Sequence, residues 1–214
     1  MNSIIFGANG RTGRLLVEQA EALGHQVTAF VRNPGSLLRL SPATKIIRGD
    51  LMDATAVTRA IEGQDVILSA VGVLASAARA PTTFFSQGMK NMVDGARQAG
   101  AGRIICLGSC GSDPETKAFL PLKILGDLII TPLFFRGIYD DYVRMEAWLA
   151  GIDLDWTVMR PPLLTDGGLT TRYRRGVGQH LKGIARISRA DLAHCVLANI
   201  SDAATYRKWV EVAY

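Results

Sequence analysis

Three glycines spaced three apart, Gly7, Gly10 and Gly13, stand between a short apolar run (SIIF, 3–6) and a stretch with apolar residues at helical spacing (RLLVEQAEALG, 14–24). Glycine costs roughly 0.5–1 kcal/mol relative to alanine inside regular structure, so three of them at one junction need a compensating reason. A strand, then G-x-x-G-x-x-G, then a helix is the phosphate-gripping turn of a dinucleotide-binding fold. In that arrangement Gly7 turns the chain sharply off the strand, Gly10 lets the backbone approach a diphosphate, and Gly13 lets the helix pack close to the sheet. The N–H groups at the helix start, with the positive end of the helix dipole, then face the anion. The plain alternative is a tight turn that is glycine-rich for its own sake. The strand before it and the helix after it supply the context that the binding reading requires.

The alternation continues along the chain. QVTAFV (26–31), TKIIRG (44–49), DVILSAVG (65–72), RIICLGS (103–109), LDWTVMR (154–160), ARIS (185–188) and KWVEVAY (208–214) read as strands. DATAVTRAIEG (53–63), TTFFSQGMKNMVDGARQAG (82–100), segments around 117–130 and 137–150, and a stretch opened by Ser188 read as helices. Asp53 is expected to cap the second helix, and Ser188 with Asp191 three residues on spells a capping box. The segment between 161 and about 183 reads as a loop. Strands alternate with helices, and most strands are continuous apolar runs. Both features predict an α/β, Rossmann-like doubly wound, mostly parallel sheet with helices on both faces. No repeat, low-complexity tract or linker is visible. A single NAD(P)-binding domain over 1–214 is therefore expected, its substrate region built from about 110–140 and 161–183.

Composition narrows the function classes. Hydrophobic residues make up 48% of the chain and charged ones 20%, the balance of a globular protein with a sizeable core. The most apolar stretch, 118–137, carries Lys123, Asp127 and two prolines, which falls short of the ~20 uninterrupted apolar residues of a membrane span. Gly7, Asn9 and Arg11 interrupt any leader-like pattern, so neither secretion nor a membrane is expected. Cys106, Cys110 and Cys195 form no C-x-x-C pair, which fits a reducing cytoplasm and argues against disulfides or a zinc site. His25, His180 and His194 are too scattered for a metal site. The net charge is a modest +5, and its one concentration is Arg172, Arg174, Arg175, Lys182 and Arg186. On a loop these either draw an anionic acceptor or are simply solvated, and they are no groove-reading element for nucleic acid.

The end of the second strand selects the coenzyme. A carboxylate there accepts hydrogen bonds from a free ribose 2′-hydroxyl and repels a 2′-phosphate, whereas a cation does the reverse. AFVRNP places Arg32 at that point with no acid nearby, so NADPH is expected over NADH, and Arg11 in the glycine turn can assist.

GANGRTG, GHQVTAFVRNP, GDLMDATAV, SAVG and WTVMRPPLLTD together resemble the atypical short-chain dehydrogenase/reductase group with an NAD(P)H-binding domain. Within it the similarity is to the biliverdin-IXβ reductase/flavin reductase family, over essentially the whole chain. The resemblance implies NADP(H) as cofactor and reduction of flavins or related conjugated acceptors. By position it implies that Gly7, Asn9, Gly10, Arg11, Thr12 and Gly13 surround the pyrophosphate and that Arg32 meets the 2′-phosphate. Asp50 and Leu51 would line the adenine, and Ala70, Val71 and Gly72 the adenosine and ribose. Ser109 matches the family's active-site serine, and Arg160 and Pro161 of RPP would border the nicotinamide. The chain departs from the family in two places: Ser36 stands where a second basic residue is common, and RPPLLTD carries no histidine after its proline pair. The Tyr-x-x-x-Lys pair of ordinary short-chain dehydrogenases is absent as well, since none of Tyr139, Tyr142, Tyr173 and Tyr206 has a lysine four residues on.

The missing Tyr-x-x-x-Lys pair bears on the chemistry. A ketone reductase needs a proton donor for the developing alkoxide, usually a tyrosine whose pKa a lysine lowers. A flavin or quinone spreads the incoming charge over a conjugated system, and water can finish the protonation. Such an enzyme acts mainly by holding two planar rings in contact. Ser109 either hydrogen-bonds the nicotinamide amide or the acceptor, or merely caps a strand end. Tyr142, four residues before Glu146 on one helix face, is either a weak acid in the pocket or a packing residue. Phe119, Phe134, Phe135 and Tyr139 are candidates for a pocket roof or for core, and Cys110 for a thiol or a small buried residue. The expected function is an NADPH-dependent reductase of a planar acceptor such as a flavin, quinone or tetrapyrrole, monomeric or weakly dimeric. Two alternatives stay open: an NADPH-sensing regulator without turnover, and a biosynthetic reductase of a bulky apolar intermediate.

Overall fold

The computed structural model describes residues 1–34, 41–72, 81–112, 135–183 and 185–214. Along the chain these form β1 (Asn2–Phe6), α1 (Arg11–Ala22), β2 (Gln26–Val31), β3 (Lys45–Arg48), α2 (Ala54–Ile61), β4 (Val66–Ser69), α3 (Phe84–Ala99) and β5 (Arg103–Leu107). Then come α4 (Arg136–Leu149), β6 (Asp155–Arg160), β7 (Leu163–Thr165), β8 (Arg174–Val177), β9 (Arg186–Ser188), α5 (Arg189–Ala198) and β10 (Lys208–Ala213). The helix expected around 117–130, with Phe119 and Phe134, lies outside the described residues, as does Ser36.

Eight strands make one sheet in the order β3-β2-β1-β4-β5-β6-β10-β8, and β7 and β9 pair separately. Every neighbouring pair in the large sheet is parallel except β10 with β8. From β1 the chain winds outward through β2 and β3, then crosses back to β4 and winds the other way. This is the doubly wound arrangement the sequence predicts, and its crevice opens outside the carboxyl ends of β1 and β4, where the winding reverses.

The continuous apolar runs are explained by burial on both faces. In β1, Ile4 and Phe6 face one layer with Val57 and Ile61 of α2, Met89, Met92 and Val93 of α3, and Met145 and Leu149 of α4. Ile5 faces the other, with Leu16 and Val17 of α1 and Leu192 and Val196 of α5. Each fully buried Leu, Ile or Phe contributes about 1.5–3 kcal/mol over its exposed state.

Four local features differ from the sequence reading. The first helix starts at Arg11, because the glycine turn runs straight into it. The segment read as a loop to 183 contains β7 and β8, and β8 closes the edge of the sheet against β10. The arginines of the basic cluster are partly structural: Arg174 donates to the carbonyls of Lys182 (3.0 Å) and Tyr214 (2.7 Å), and Arg175 to Asn199 (2.6 Å) and Asp202 (2.8 Å). The capping box is half formed. Ser188 Oγ accepts from Asp191 N at 3.0 Å, but Asp191 does not reach back. Its carboxylate instead accepts from the amides of Thr170 and Thr171 at 2.8 and 2.7 Å and from Tyr214 Oη at 2.6 Å. Burial alone would raise this carboxyl, yet the hydrogen bonds from Tyr214, Thr170 and Thr171 outweigh it and hold its pKa down to about 2. One buried carboxylate thereby pins the segment after β7 to α5. Asp141 of α4 plays a matching part for α3, whose own N-cap Thr83 accepts no amide through its side chain: the fully buried carboxylate accepts from Phe85 N at 2.7 Å.

Candidate coenzyme and acceptor site

The glycine turn lies at the reversal point of the sheet. Gly7 has φ +77°, the left-handed region that favours glycine, and a Cβ there would stand 2.6 Å from the Ala70 carbonyl oxygen. Gly10 N donates to Gly7 O at 2.9 Å and closes the turn. A Cβ on Gly13 would lie 2.1 Å from that same oxygen, so only glycine lets α1 sit this close to the strand. Gly10 is the N-cap residue, and no side chain caps the helix. The amides of the first turn are thus turned outward with no internal acceptor supplied, the arrangement that receives an anion.

The second wall of the crevice is β4. Ala70 N donates to Phe6 O at 2.9 Å, which draws Ala70 and Val71 against the turn, and Gly72 is exposed beyond them. Asn9 Nδ2 donates to Asn33 O at 2.9 Å and ties the turn to the loop that carries Arg32. Its Oδ1 is buried with no hydrogen-bond partner among the described residues. Arg32 is exposed and forms no ion pair among the described residues. Uncapped amides, a glycine cradle and an exposed cation beside them fit the diphosphate and 2′-phosphate of NADP(H).

The side chains of three of the expected cofactor residues have protein partners of their own. That of Arg11 reaches Asp166, at 3.1 Å, and Asp166 also holds Arg189 at 2.6 Å. Leu51 is buried among core residues against Gly88 of α3, while its carbonyl accepts from Asn91 Nδ2 at 2.8 Å. Beside it the exposed Asp50 accepts from Met52 N at 2.9 Å. The Arg160 guanidinium is held by neighbouring side chains: Nε lies 3.0 Å from Glu146 Oε2, and Cζ stands 4.4 Å over the Trp209 ring. Thr12 and Gly13 are buried at the helix start.

At the end of β5 the chain turns through a short 3₁₀ segment, Cys110–Ser112. Ser109 organises it. Its Oγ accepts from Gly111 N at 3.2 Å, and its carbonyl accepts from Ser112 Oγ at 2.7 Å. Cys110 N donates to Pro161 O at 3.2 Å, so the serine turn and the RPP turn are joined at the carboxyl edge of β5 and β6. Ser109 is half-buried there. Tyr142 is placed differently: it is 8% exposed, and its ring stacks on Phe85 with centroids 4.3 Å apart. Burial, then the neighbouring Cys106 and Tyr139, push its hydroxyl well above the usual tyrosine range. The packing alternative describes Tyr142 better than that of a weak acid.

The structure adds residues the sequence reading did not single out. Glu146 lies one turn beyond Tyr142 and pairs with Arg160, and its Oε1 would stand 3.2 Å from a Cβ on Gly108, next to Ser109. Glu211 in β10 is fully buried and accepts from Leu181 N at 2.7 Å, with His180 Nδ1 at 3.0 Å. A single acid inside the apolar run KWVEVAY was the available signal.

The topology, turn and crevice define a dinucleotide-binding α/β protein. The chain matches the model of the NAD(P)H-binding family over residues 7–203 and belongs to that family. It is 28% identical over 219 residues to the Arabidopsis thaliana chloroplastic protein At2g37660, covering 91% of this chain and 64% of that one, so it spans about two thirds of that relative's length. A crystal structure from Burkholderia pseudomallei, named for an exported protein, superposes with a TM-score of 0.79 at 28% identity over 100% of both chains. ChuY of Escherichia coli O157:H7, named as an anaerobillin reductase, superposes with a TM-score of 0.76 at 23% identity over 100% of this chain and 97% of that one. No helix among the described residues is long and apolar enough to cross a membrane.

Proposed function

We propose that this protein is an NADPH-dependent reductase that passes hydride to a planar conjugated acceptor, a flavin, quinone or tetrapyrrole. One juxtaposition carries the reading. An uncapped glycine turn with exposed Arg32 beside it faces a catalytic edge that offers Ser109 and no tyrosine–lysine donor. The amides of Arg11, Thr12 and Gly13 would hold the diphosphate, Arg32 the 2′-phosphate, and Ser109 and Pro161 would flank the nicotinamide. When bound, the coenzyme supplies the hydride. The protein's part is to align the two rings and keep bulk water from between them.

The likeness to ChuY supports a tetrapyrrole or similar conjugated acceptor. The whole chain then acts as one NAD(P)-binding unit, monomeric or weakly dimeric. Its free cysteines suit a cytoplasmic setting, which cell fractionation would test against the exported name of the Burkholderia neighbour. The function is tested by following NADPH oxidation at 340 nm with FMN, menadione, biliverdin and a simple aldehyde. Turnover is expected with at least one planar acceptor and not with the aldehyde. Tight NADPH binding with no turnover on any of them would replace this reading with that of a nucleotide sensor.

A further inference from the structure

Asp166 brings a negative charge to the residue that opens α1, beside the turn where an anionic coenzyme is expected. Its Oδ2 lies 3.1 Å from Arg11 Nη1, and its Oδ1 lies 2.6 Å from Arg189 Nη1. The two arginines stand differently. Arg189, the first residue of α5, has a side chain only 11% exposed and requires a counter-charge, because an unpaired buried cation is costly. Arg11, the first residue of α1, has a side chain 71% exposed. Among the described residues it meets Asp166 through a single nitrogen and a single oxygen.

The carboxylate is the fixed member of the Arg11–Asp166 pair. On one side of it, Thr165 of β7 is paired with Ser188 of β9. On the other, Gly168 O accepts from Ser188 Oγ at 3.2 Å, and fully buried Asp191 accepts from the amides of Thr170 and Thr171. Thr171 stands at φ +59°, a left-handed conformation that a threonine keeps only where its surroundings impose it. Asp166 is thus fastened through its backbone and through Arg189, whereas the Arg11 side chain extends through solvent. An exposed ion pair with one contact contributes little. A diphosphate presents two charges and several oxygens to a planar guanidinium, which makes it the stronger partner.

We propose that Asp166 sets the affinity for the coenzyme by occupying Arg11. In the free protein Arg11 is parked on the carboxylate. When the coenzyme enters, its diphosphate lies on the amides of Arg11 to Gly13 and takes over the guanidinium, while Asp166 keeps Arg189 as its counter-ion. The Arg11–Asp166 pair must be given up each time, so the carboxylate holds the affinity below what the turn alone would reach. NADPH and NADH carry the same diphosphate, so the effect is common to both. The inference rests on the coenzyme placement proposed above and is independent of the acceptor.

Asp166→Asn, Arg11→Gln and the double variant are titrated with NADPH and with NADH by calorimetry at low ionic strength, with circular dichroism to show that each is folded. Both side chains are mostly exposed, so wild-type spectra are expected. Asp166→Asn should tighten both coenzymes about two- to fivefold, the scale of an exposed ion pair. The gain should shrink in about 0.5 M salt. Arg11→Gln should weaken both coenzymes, and in that background Asp166→Asn should lose most of its effect. Unchanged or weaker binding in Asp166→Asn overturns the inference, as does a gain that persists in full without Arg11. A gain confined to NADPH also overturns it, by placing Arg11 on the 2′-phosphate. Each of these leaves the reductase reading standing. A wild type that binds neither coenzyme removes both.

Discussion

The substitution Gly13→Ala puts a single methyl group where the coenzyme turn meets its helix. Its Cβ would stand 2.1 Å from Gly7 O, 2.8 Å from Gly7 C and 2.9 Å from Ala8 Cα. All three are backbone atoms, so no side chain can swing aside. Non-bonded atoms rest about 3.5–4 Å apart, which obliges α1 to withdraw from the turn by more than ~1 Å. Leu16, Val17 and Ala20, at most 1% exposed, pack α1 onto the sheet and resist that movement. Overpacking of this kind costs about 1–3 kcal/mol of stability. The effect on binding is larger, because the outward amides of the first turn move with the helix. A hydrogen bond is lost by about 3.6 Å, and each one to a charged group contributes about 1.5–3 kcal/mol. Losing two of them weakens NADPH binding by about 3 kcal/mol or more, at least a hundredfold in Kd. Isothermal calorimetry reads the affinity, and circular dichroism shows that the variant is folded. Gly102→Ala is the control, since a Cβ there meets nothing within 4 Å. A folded Gly13→Ala protein that binds NADPH within threefold of wild type would show that the first-turn amides do not hold the coenzyme.

Three further outcomes follow from the same geometry. Arg32→Asp should reverse the coenzyme preference, weakening NADPH at least tenfold while leaving NADH within threefold, as read by calorimetry with both. Tyr142→Phe should keep kcat within threefold in the menadione assay, because the ring is buried on Phe85, whereas Ser109→Ala should lose about tenfold or more, ~1.4 kcal/mol in barrier. Asp191 has a carboxyl held at about 2 against an ordinary 3.8, so the stability it contributes is present above pH 4 and disappears as pH falls towards 2. Urea unfolding of Asp191→Asn should show a deficit of about 2 kcal/mol at pH 7 that shrinks as the pH falls through that window.

What the sequence revealed and what it hid have different physical causes. The glycine turn was legible because backbone demands at Gly7 and Gly13 leave a residue-type signature at fixed spacing. The parallel strands were legible because burial on both faces writes continuous apolar runs such as DVILS. β8 was not, since RRGV is a charged edge strand whose arginines are satisfied by Asn199, Asp202 and Tyr214 far along the chain. Arg160 sat in a recognisable RPP motif, yet its direction depends on Glu146 fourteen residues away on another element. Pairings such as His180 with Glu211 leave no spacing rule behind. Only the acid inside an apolar strand hints that something must meet it.

A crystal structure of the NADPH complex would show whether the amides of the glycine turn hold its diphosphate. The diphosphate should lie within hydrogen-bond distance of the amides of Arg11 to Gly13, with the 2′-phosphate on Arg32. Coenzyme found instead in the cavity of about 600 Å³ at the opposite, amino edge of the sheet, among Glu21, His25 and Lys45, would contradict it.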